Sequence, residues 1–414
     1  MTRFYWNGWL VRVAMAGVFV GMAVSPLAAD ERDSGGGASS EVLTGIDVLV
    51  RDGFDVLEGR RVGLITNQTG VDRFGRSTIG RFQAAENVRL VSLFSPEHGL
   101  KGIVEAKVAD SVDSLTGLKV HSLYGDTRRP TAAMLKGIDT LVFDIQDIGT
   151  RFYTYIATMG YAMEEAAKHD IRFVVLDRPN PITGVRVFGP LNDREGLFTA
   201  YHSVPLVHGM TVGELAQMFK AERDTDVVLQ VVKMEGWRRS MWYDETLLPW
   251  VNPSPNMRSL VEATLYPAIG MIEACNVSVG RGTDTPFERF GAPWIDGRRL
   301  AGRLNGLGLR GIRFIPQRFT PTASKFKGEA CGGVQIVLTD RDGFDPLETG
   351  LSVVWVLKDL FGESFEVDRV DRLLFSAEVL KQVKSASRPG PFTPLWESSL
   401  GSFKARRARH LLYR

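Results

Sequence analysis

Four apolar, β-branched runs that each stop in a short polar segment constrain this chain more than any other feature. They are Arg61–Asn67, Val88–Phe94, Ile138–Gln146 and Ile171–Leu176. Runs of this length and character read as strands buried on both faces. Helix-compatible stretches lie among them at Thr78–Glu86, Thr131–Lys136 and Tyr155–Asp170, with a short strand over Val120–Gly125. An amphipathic helix over Val42–Leu57 precedes the first run. A helix over Thr211–Ala221, capped by Thr211, leads to a strand over Val227–Met234. Strand and helix alternating at these intervals imply right-handed crossovers and a parallel sheet, hence an α/β fold.

In a parallel sheet the strands end at one edge, where open α/β sheets bind ligands. Four polar segments are delivered there: Asn67-Gln68-Thr69, Glu97-His98, Gln146-Asp147 with Arg151, and Asp177-Arg178-Pro179-Asn180. The second follows from Ser95-Pro96-Glu97-His98-Gly99, where Pro96 donates no ladder hydrogen bond and Gly99 permits a turn. The carboxylate of Glu97 and the imidazole of His98 are thus expected on a loop at the C-terminal end of a strand.

From Asn252 the texture changes. Residues 252–259 are rich in proline and polar side chains, an interdomain segment by composition. Strands are expected over Gly311–Pro316 and Gly333–Leu338 and an apolar helix over Leu351–Leu360, giving a mixed α+β texture. The division expected is a parallel-sheet domain over 42–251 and a smaller α+β domain over 252–414 that contributes to the cleft. At the N-terminus, Arg3 and Arg12 precede an apolar run, Val13–Val24, and Ser25-Pro26-Leu27-Ala28-Ala29 follows. That is the pattern of a secretory signal peptide over 1–29, with an uncleaved anchor as the alternative, and 30–41 reads as a flexible linker. A secreted or periplasmic protein is expected, with no stable membrane insertion after cleavage.

The charge balance, 50 basic against 48 acidic residues, implies no nucleic-acid partner. The basic run Lys404–Arg409 reads as a solvated helix face. Two cysteines, Cys275 and Cys331, are open to two readings, a disulfide or two separate buried thiols. No metal-spaced Cys/His cluster is present, and neither phosphate-cradling glycine motif nor a Gly-x-Ser-x-Gly elbow occurs. What remains is carboxylate chemistry. Glu97 with His98, Asp144 and Asp147 at the next strand end, and Asp284 and Glu288 further on are the acidic groups available. Glycosidic hydrolysis needs a protonated carboxyl for the leaving oxygen and a second group at the anomeric carbon. The same residues have plain structural uses: Asp144 capping a turn, Arg151 pairing with Asp147, His98 bonding to the backbone.

Ser-Pro-Glu-His-Gly at 95–99, Asp-Ile-Gln-Asp-Ile-Gly-Thr-Arg-Phe-Tyr-Thr-Tyr at 144–155 and Asp-Arg-Pro-Asn-Pro at 177–181 carry a resemblance. So do His-Gly-Met-Thr at 208–211, Pro-Ser-Pro-Asn-Met at 253–257 and Gly-Arg-Gly-Thr-Asp-Thr-Pro-Phe-Glu at 280–288. Together they resemble the DUF1343 family, associated with exo-β-N-acetylmuramidases of the NamZ type. The resemblance implies a Rossmann-like N-terminal domain, a smaller C-terminal domain and an active cleft holding Glu97. It further implies no cofactor and release of N-acetylmuramic acid from the non-reducing end of peptidoglycan-derived sugar chains. On that reading Glu97 is the general acid and His98 orients or tunes it. Asp144 and Asp147 are candidates for the second carboxylate, unless the substrate's 2-acetamido group attacks instead. Arg151 and Arg281 are candidates for the lactyl carboxylate, and Asn67, Tyr155, Asn180, Asn256, Asp284 and Glu288 for the remaining substrate contacts. Two rivals are a metal-dependent hydrolase using His98, Asp144 and Asp147, and a non-enzymatic muropeptide-binding protein.

Overall fold

The computed structural model describes residues 41–414. The expected signal segment, and all but the last residue of the expected linker, lie outside the described residues.

Seven strands form the central sheet. In chain order the strands begin β1 (Arg61–Thr66), β2 (Arg89–Ser95), β3 (Ser111–Val112), β4 (Lys119–Ser122), β5 (Thr140–Asp144) and β6 (Arg172–Leu176). A small antiparallel hairpin, β7 (Phe188–Leu191) and β8 (Pro205–Val207), intervenes before β9 (Leu229–Val232) completes the sheet. The order across the sheet is β3-β4-β2-β1-β5-β6-β9, parallel except for the edge strand β3. From β1 the chain winds outward through β2 to β4, and from β5 it winds the other way through β6 to β9.

Side-chain alternation splits each central strand between two cores. Val62, Leu64, Val142 and Val174 pack with Ile46 and Leu49 of α1 (Gly45–Arg51) and Phe82 of α2 (Thr78–Gln83). Ile65, Leu141, Phe143 and Phe173 face α3 (Tyr155–Lys168) and α4 (Val212–Glu222). The first expected helix is shorter than its pattern: Thr44 caps it through Asp47, and it stops at Arg51. Gly53 and Phe54 then adopt positive φ, which no helix continues through. The helix expected over Thr131–Lys136 is a run of turns with one helical bond, Leu135 N–H to the Thr131 carbonyl. Only Leu135 of this segment is buried, so it has no packed apolar face to offset the cost of helix nucleation.

The C-terminal half carries a three-stranded antiparallel sheet, β10 (Arg289–Ala292), β11 (Ile312–Phe319) and β12 (Cys331–Leu338), with β12 central. Around it lie α5 (Leu260–Ile269), α6 (Gly297–Asn305), α7 (Pro346–Phe361), α8 (Asp371–Leu374), α9 (Ala377–Ser385) and α10 (Glu397–Ala408). Its apolar residues join the α3/α4 face of the large sheet in one continuous core. The described residues, 41–414, therefore form one compact unit. Cys275 and Cys331 are two free, buried thiols. The basic run near the C-terminus is only partly a solvated face. Lys404 and Arg409 are exposed, but Arg407 is buried and donates to the carbonyls of Gly184 and Gly209. No helix among the described residues is long and apolar enough to cross a membrane.

Candidate active site

The reversal of strand order between β1 and β5 makes a topological switch point, and a crevice opens beyond the C-terminal ends of those strands. Gln68, just past β1, donates from Nε2 to the carbonyls of Asn252 (2.7 Å) and Pro253 (3.3 Å). Tyr155, opening α3, donates its hydroxyl to the same Pro253 carbonyl. These bonds draw the Pro-rich segment across the switch point and bring Asn256 to Glu105, its amide donating to Oε1. Beneath the segment lies a cavity of about 380 Å³.

Glu97 is half-buried in this cavity, and its Oε2 accepts from Thr154 Oγ1 at 2.6 Å. The Tyr124 phenol faces the same carboxylate. Burial first, then the hydrogen bond to Glu97 and its charge, push that phenol up to about 12. His98 sits at φ +71°, followed by Gly99 at +75°, a left-handed pair that turns the loop back on itself. The His98 Nδ1 lies 2.7 Å from the Val104 carbonyl, which can only accept, so Nδ1 carries the proton. The backbone role expected as an alternative for His98 is thus present, and the ring also lines the cavity.

Aromatic rings build one wall. Tyr153 stands edge-on to Tyr155 (4.9 Å between centroids) and to Tyr266 (5.8 Å), and Tyr266 stands edge-on to Phe287 (4.7 Å). Burial raises the phenols of Tyr153 and Tyr266 well above their ordinary value, so both remain hydroxyl donors. Opposite charges meet at Arg281, whose guanidinium is 2.5 Å from Glu273 and 3.6 Å from Glu105. Burial alone would lower that arginine, and the Glu273 contact more than reverses it. Arg372 of α8 completes the lining.

Glu97, His98, Tyr155, Asn256 and Arg281 therefore share one cavity. The other residues singled out in the sequence do not line it. Asp144 is fully buried, with both oxygens on Arg178 at 2.6 and 2.9 Å and a further bond from the Thr78 hydroxyl. It holds a buried ion pair where a second catalytic carboxylate was expected. Asp147 is also buried, accepting from the Gly149 N–H at 2.7 Å and lying 3.7 Å from His208. Arg151 does not pair with Asp147 and does not reach the cavity. Its guanidinium donates to the carbonyls of Pro190, Val204 and Leu374. Asn180 is used internally, donating to the Met210 carbonyl and accepting from Ile182 N–H. Asn67 accepts both bonds of Thr69 and sits against Tyr155 beneath the cavity. Asp284 is exposed, and Glu288, raised by burial, lies beside Ser259. His98, Asp144 and Asp147 each serve a different partner. Among the described residues no group of three or more His, Cys, Asp or Glu is placed to hold a metal ion.

Sequence reading missed Glu105, Glu273, Thr154, Tyr124, Tyr266 and Arg372. Glu105 carried a usable signal, since it lies in the long loop that leaves the same strand end as Glu97. The others reach the cavity through tertiary packing and have no local mark.

Carboxylates, tyrosines and amide donors around one small cavity are the equipment for holding a sugar ring, with apolar ring faces against aromatics and hydroxyls on polar groups. Comparison with known proteins agrees in kind. Residues 62–261 match the N-terminal model of the exo-beta-N-acetylmuramidase NamZ, and residues 264–413 match its C-terminal model. The chain belongs to the NamZ family. It is 45% identical over 379 residues to the peptidoglycan beta-N-acetylmuramidase NamZ of Bacillus subtilis (strain 168), covering 90% of this chain and 92% of that protein. Two crystal structures of DUF1343 family proteins from Bacteroides fragilis NCTC 9343 share the fold. One has a TM-score of 0.83 at 40% identity, covering 90% of this chain and 99% of that one. The other has a TM-score of 0.73 at 29% identity, covering 91% and 99%.

Proposed function

We propose that this protein is an exo-acting β-N-acetylmuramidase that releases N-acetylmuramic acid from the non-reducing end of peptidoglycan-derived glycans. The observation that carries the reading is the half-buried Glu97 carboxylate, bonded to Thr154 and facing an aromatic wall, in a cavity sized for a sugar. Glu97, protonated, donates to the glycosidic oxygen as the C1–O bond breaks. Thr154 and Tyr124 hold its orientation, and His98, locked by Val104, supports the loop. Tyr155, Asn256 and Arg281 line the ring-binding space. For the group that meets the anomeric carbon, the cavity offers Glu105 and Glu273, and the substrate offers its own 2-acetamido oxygen. Stepwise fluorination of the acetamido methyl separates these, since a steep loss of rate marks participation. The reaction is assigned no cofactor, and activity is expected to survive exhaustive chelation. The Arg-flanked apolar run before Ala29 supports export by a signal peptide to the periplasm or beyond, where cell-wall glycans lie.

The test is Glu97→Gln on two substrates. On a natural disaccharide the loss is expected at about 10²–10⁴-fold, the usual worth of a positioned acid. On a p-nitrophenyl muramide, whose leaving group needs little protonation, the loss is expected to be far smaller. Unchanged turnover of the disaccharide removes Glu97 from the role.

A further inference from the structure

N-acetylmuramic acid differs from N-acetylglucosamine by a lactyl ether on O3, so selectivity between them requires a group that recognises one added carboxylate. Two arginines line the cavity, and they are not equivalent. Arg281 is already neutralised by Glu273 at 2.5 Å and Glu105 at 3.6 Å. Arg372 makes no ion pair with any described residue and lies exposed on the cavity's edge.

The short helix that carries Arg372 is tied down at both ends. At its start Asp371 accepts from Arg194 at 2.5 Å and from the Ser376 N–H at 3.0 Å. At its end the buried guanidinium of Arg151, which pairs with no carboxylate among the described residues, donates to the Leu374 and Leu373 carbonyls. Val370 and Leu374, one helical turn apart, are fully buried, so Arg372 between them is directed away from the core. A charged side chain held this way offers a planar, two-pronged donor that matches a carboxylate.

We propose that Arg372 reads the lactyl carboxylate of a muramic acid residue, with Arg151 as the positioning residue that fixes its helix. This assignment rests on the glycosidase reading above. Recognition by a charge-assisted pair is worth about 10- to 100-fold in affinity. Wild type is therefore expected to favour p-nitrophenyl N-acetylmuramide over its lactyl methyl ester by that factor in kcat/KM. Arg372→Gln is expected to lose the factor on the acid and to treat the ester as wild type does. Arg372→Lys should keep part of it. Arg281→Gln is expected to weaken acid and ester alike.

Calorimetry with free N-acetylmuramic acid and its methyl ester reads the same preference without turnover. Loss of acid-over-ester preference in Arg372→Gln supports the assignment even if the wild type cleaves no muramide, a result that would overturn only the hydrolase reading. Equal loss on acid and ester in Arg372→Gln, or a preference that disappears in Arg281→Gln instead, overturns the role of Arg372.

Discussion

Replacing Asp144 separates a structural carboxylate from a catalytic one. Asp144 and Arg178 are 0% and 4% exposed, joined by two bonds of 2.6 and 2.9 Å. Arg178 also donates to the Val71 carbonyl at 2.9 Å, and Thr78 donates to Asp144. Asp144→Ala strands a guanidinium in the interior with one carbonyl for company. Removing one partner of such a pair costs about 3–5 kcal/mol, because the remaining charge stays desolvated. An unfolding entropy of about 2.1 cal/mol/K per residue gives roughly 0.8 kcal/mol/K for a unit of about 370 residues, so the melting temperature should fall by about 4–6 °C. The double variant Asp144→Leu/Arg178→Met removes both charges and is expected to recover most of that loss. The assay is calorimetric melting of all three variants beside muramide turnover below the transition. Folded Asp144→Ala is expected to keep its kcat within a few-fold of wild type. A variant that melts like wild type yet has lost turnover would refute the structural account and return Asp144 to the chemistry.

Other outcomes follow from single contacts. Gly149 has φ +81°, and a Cβ there would lie 2.4 Å from Asn180 Oδ1 and 2.8 Å from Ile182 Cγ1; Gly149→Ala is expected to cost about 2–4 kcal/mol by chemical denaturation. Tyr155→Phe loses the bond to Pro253 that holds the segment over the cavity, with about 1–2 kcal/mol of stability lost and a raised KM. Glu222 receives Arg406 at 2.6 Å and His202 at 2.7 Å. Burial raises its carboxyl, and these two partners more than reverse that, bringing it down to about 2 from an ordinary 4.5. A folded-state value below the unfolded one means stability that is present above pH 4.5 and is lost as pH falls toward 2. With solvent screening at this partly exposed site the amount is about 1–2 kcal/mol, and Glu222→Gln should flatten the acid limb of the melting curve.

The central strands were legible because burial on both faces leaves an unbroken apolar run in β1, β2, β5 and β6. The α5 helix was not, since eight of its ten residues are buried and Pro267 lies within it, so neither a polar face nor an uninterrupted pattern marks it. The strand β11 alternates from Ile312 to Ile315, with the apolar Ile315 on the exposed face, and loses the alternation at Pro316. In the site, Glu97 and His98 announced themselves through Pro96 and Gly99, which force a loop at the strand end. Asp144, Arg151 and Asn180 share that location, and their side chains turn inward to satisfy buried backbone and charge. Strand-end position thus tells where a polar residue lies and leaves open which way it points. Glu273 and Arg372 come from far along the chain and are brought to Glu97 only by the common core.

The burial of Arg407 has a temporal side. Near it, the Tyr413 hydroxyl bonds to Asp177 at the end of β6, Arg239 N–H to the Arg414 carbonyl, and Leu412 N–H to Glu214 of α4. The groups that finish the polar shell around the large sheet therefore leave the ribosome long after the sheet residues they serve. A nascent chain whose sheet residues have all emerged still holds Asp177 and Glu214 without those partners. Domains commonly fold N-terminal part first during synthesis; here the sheet must wait for residues 412–414 before the polar groups at its rim are paired.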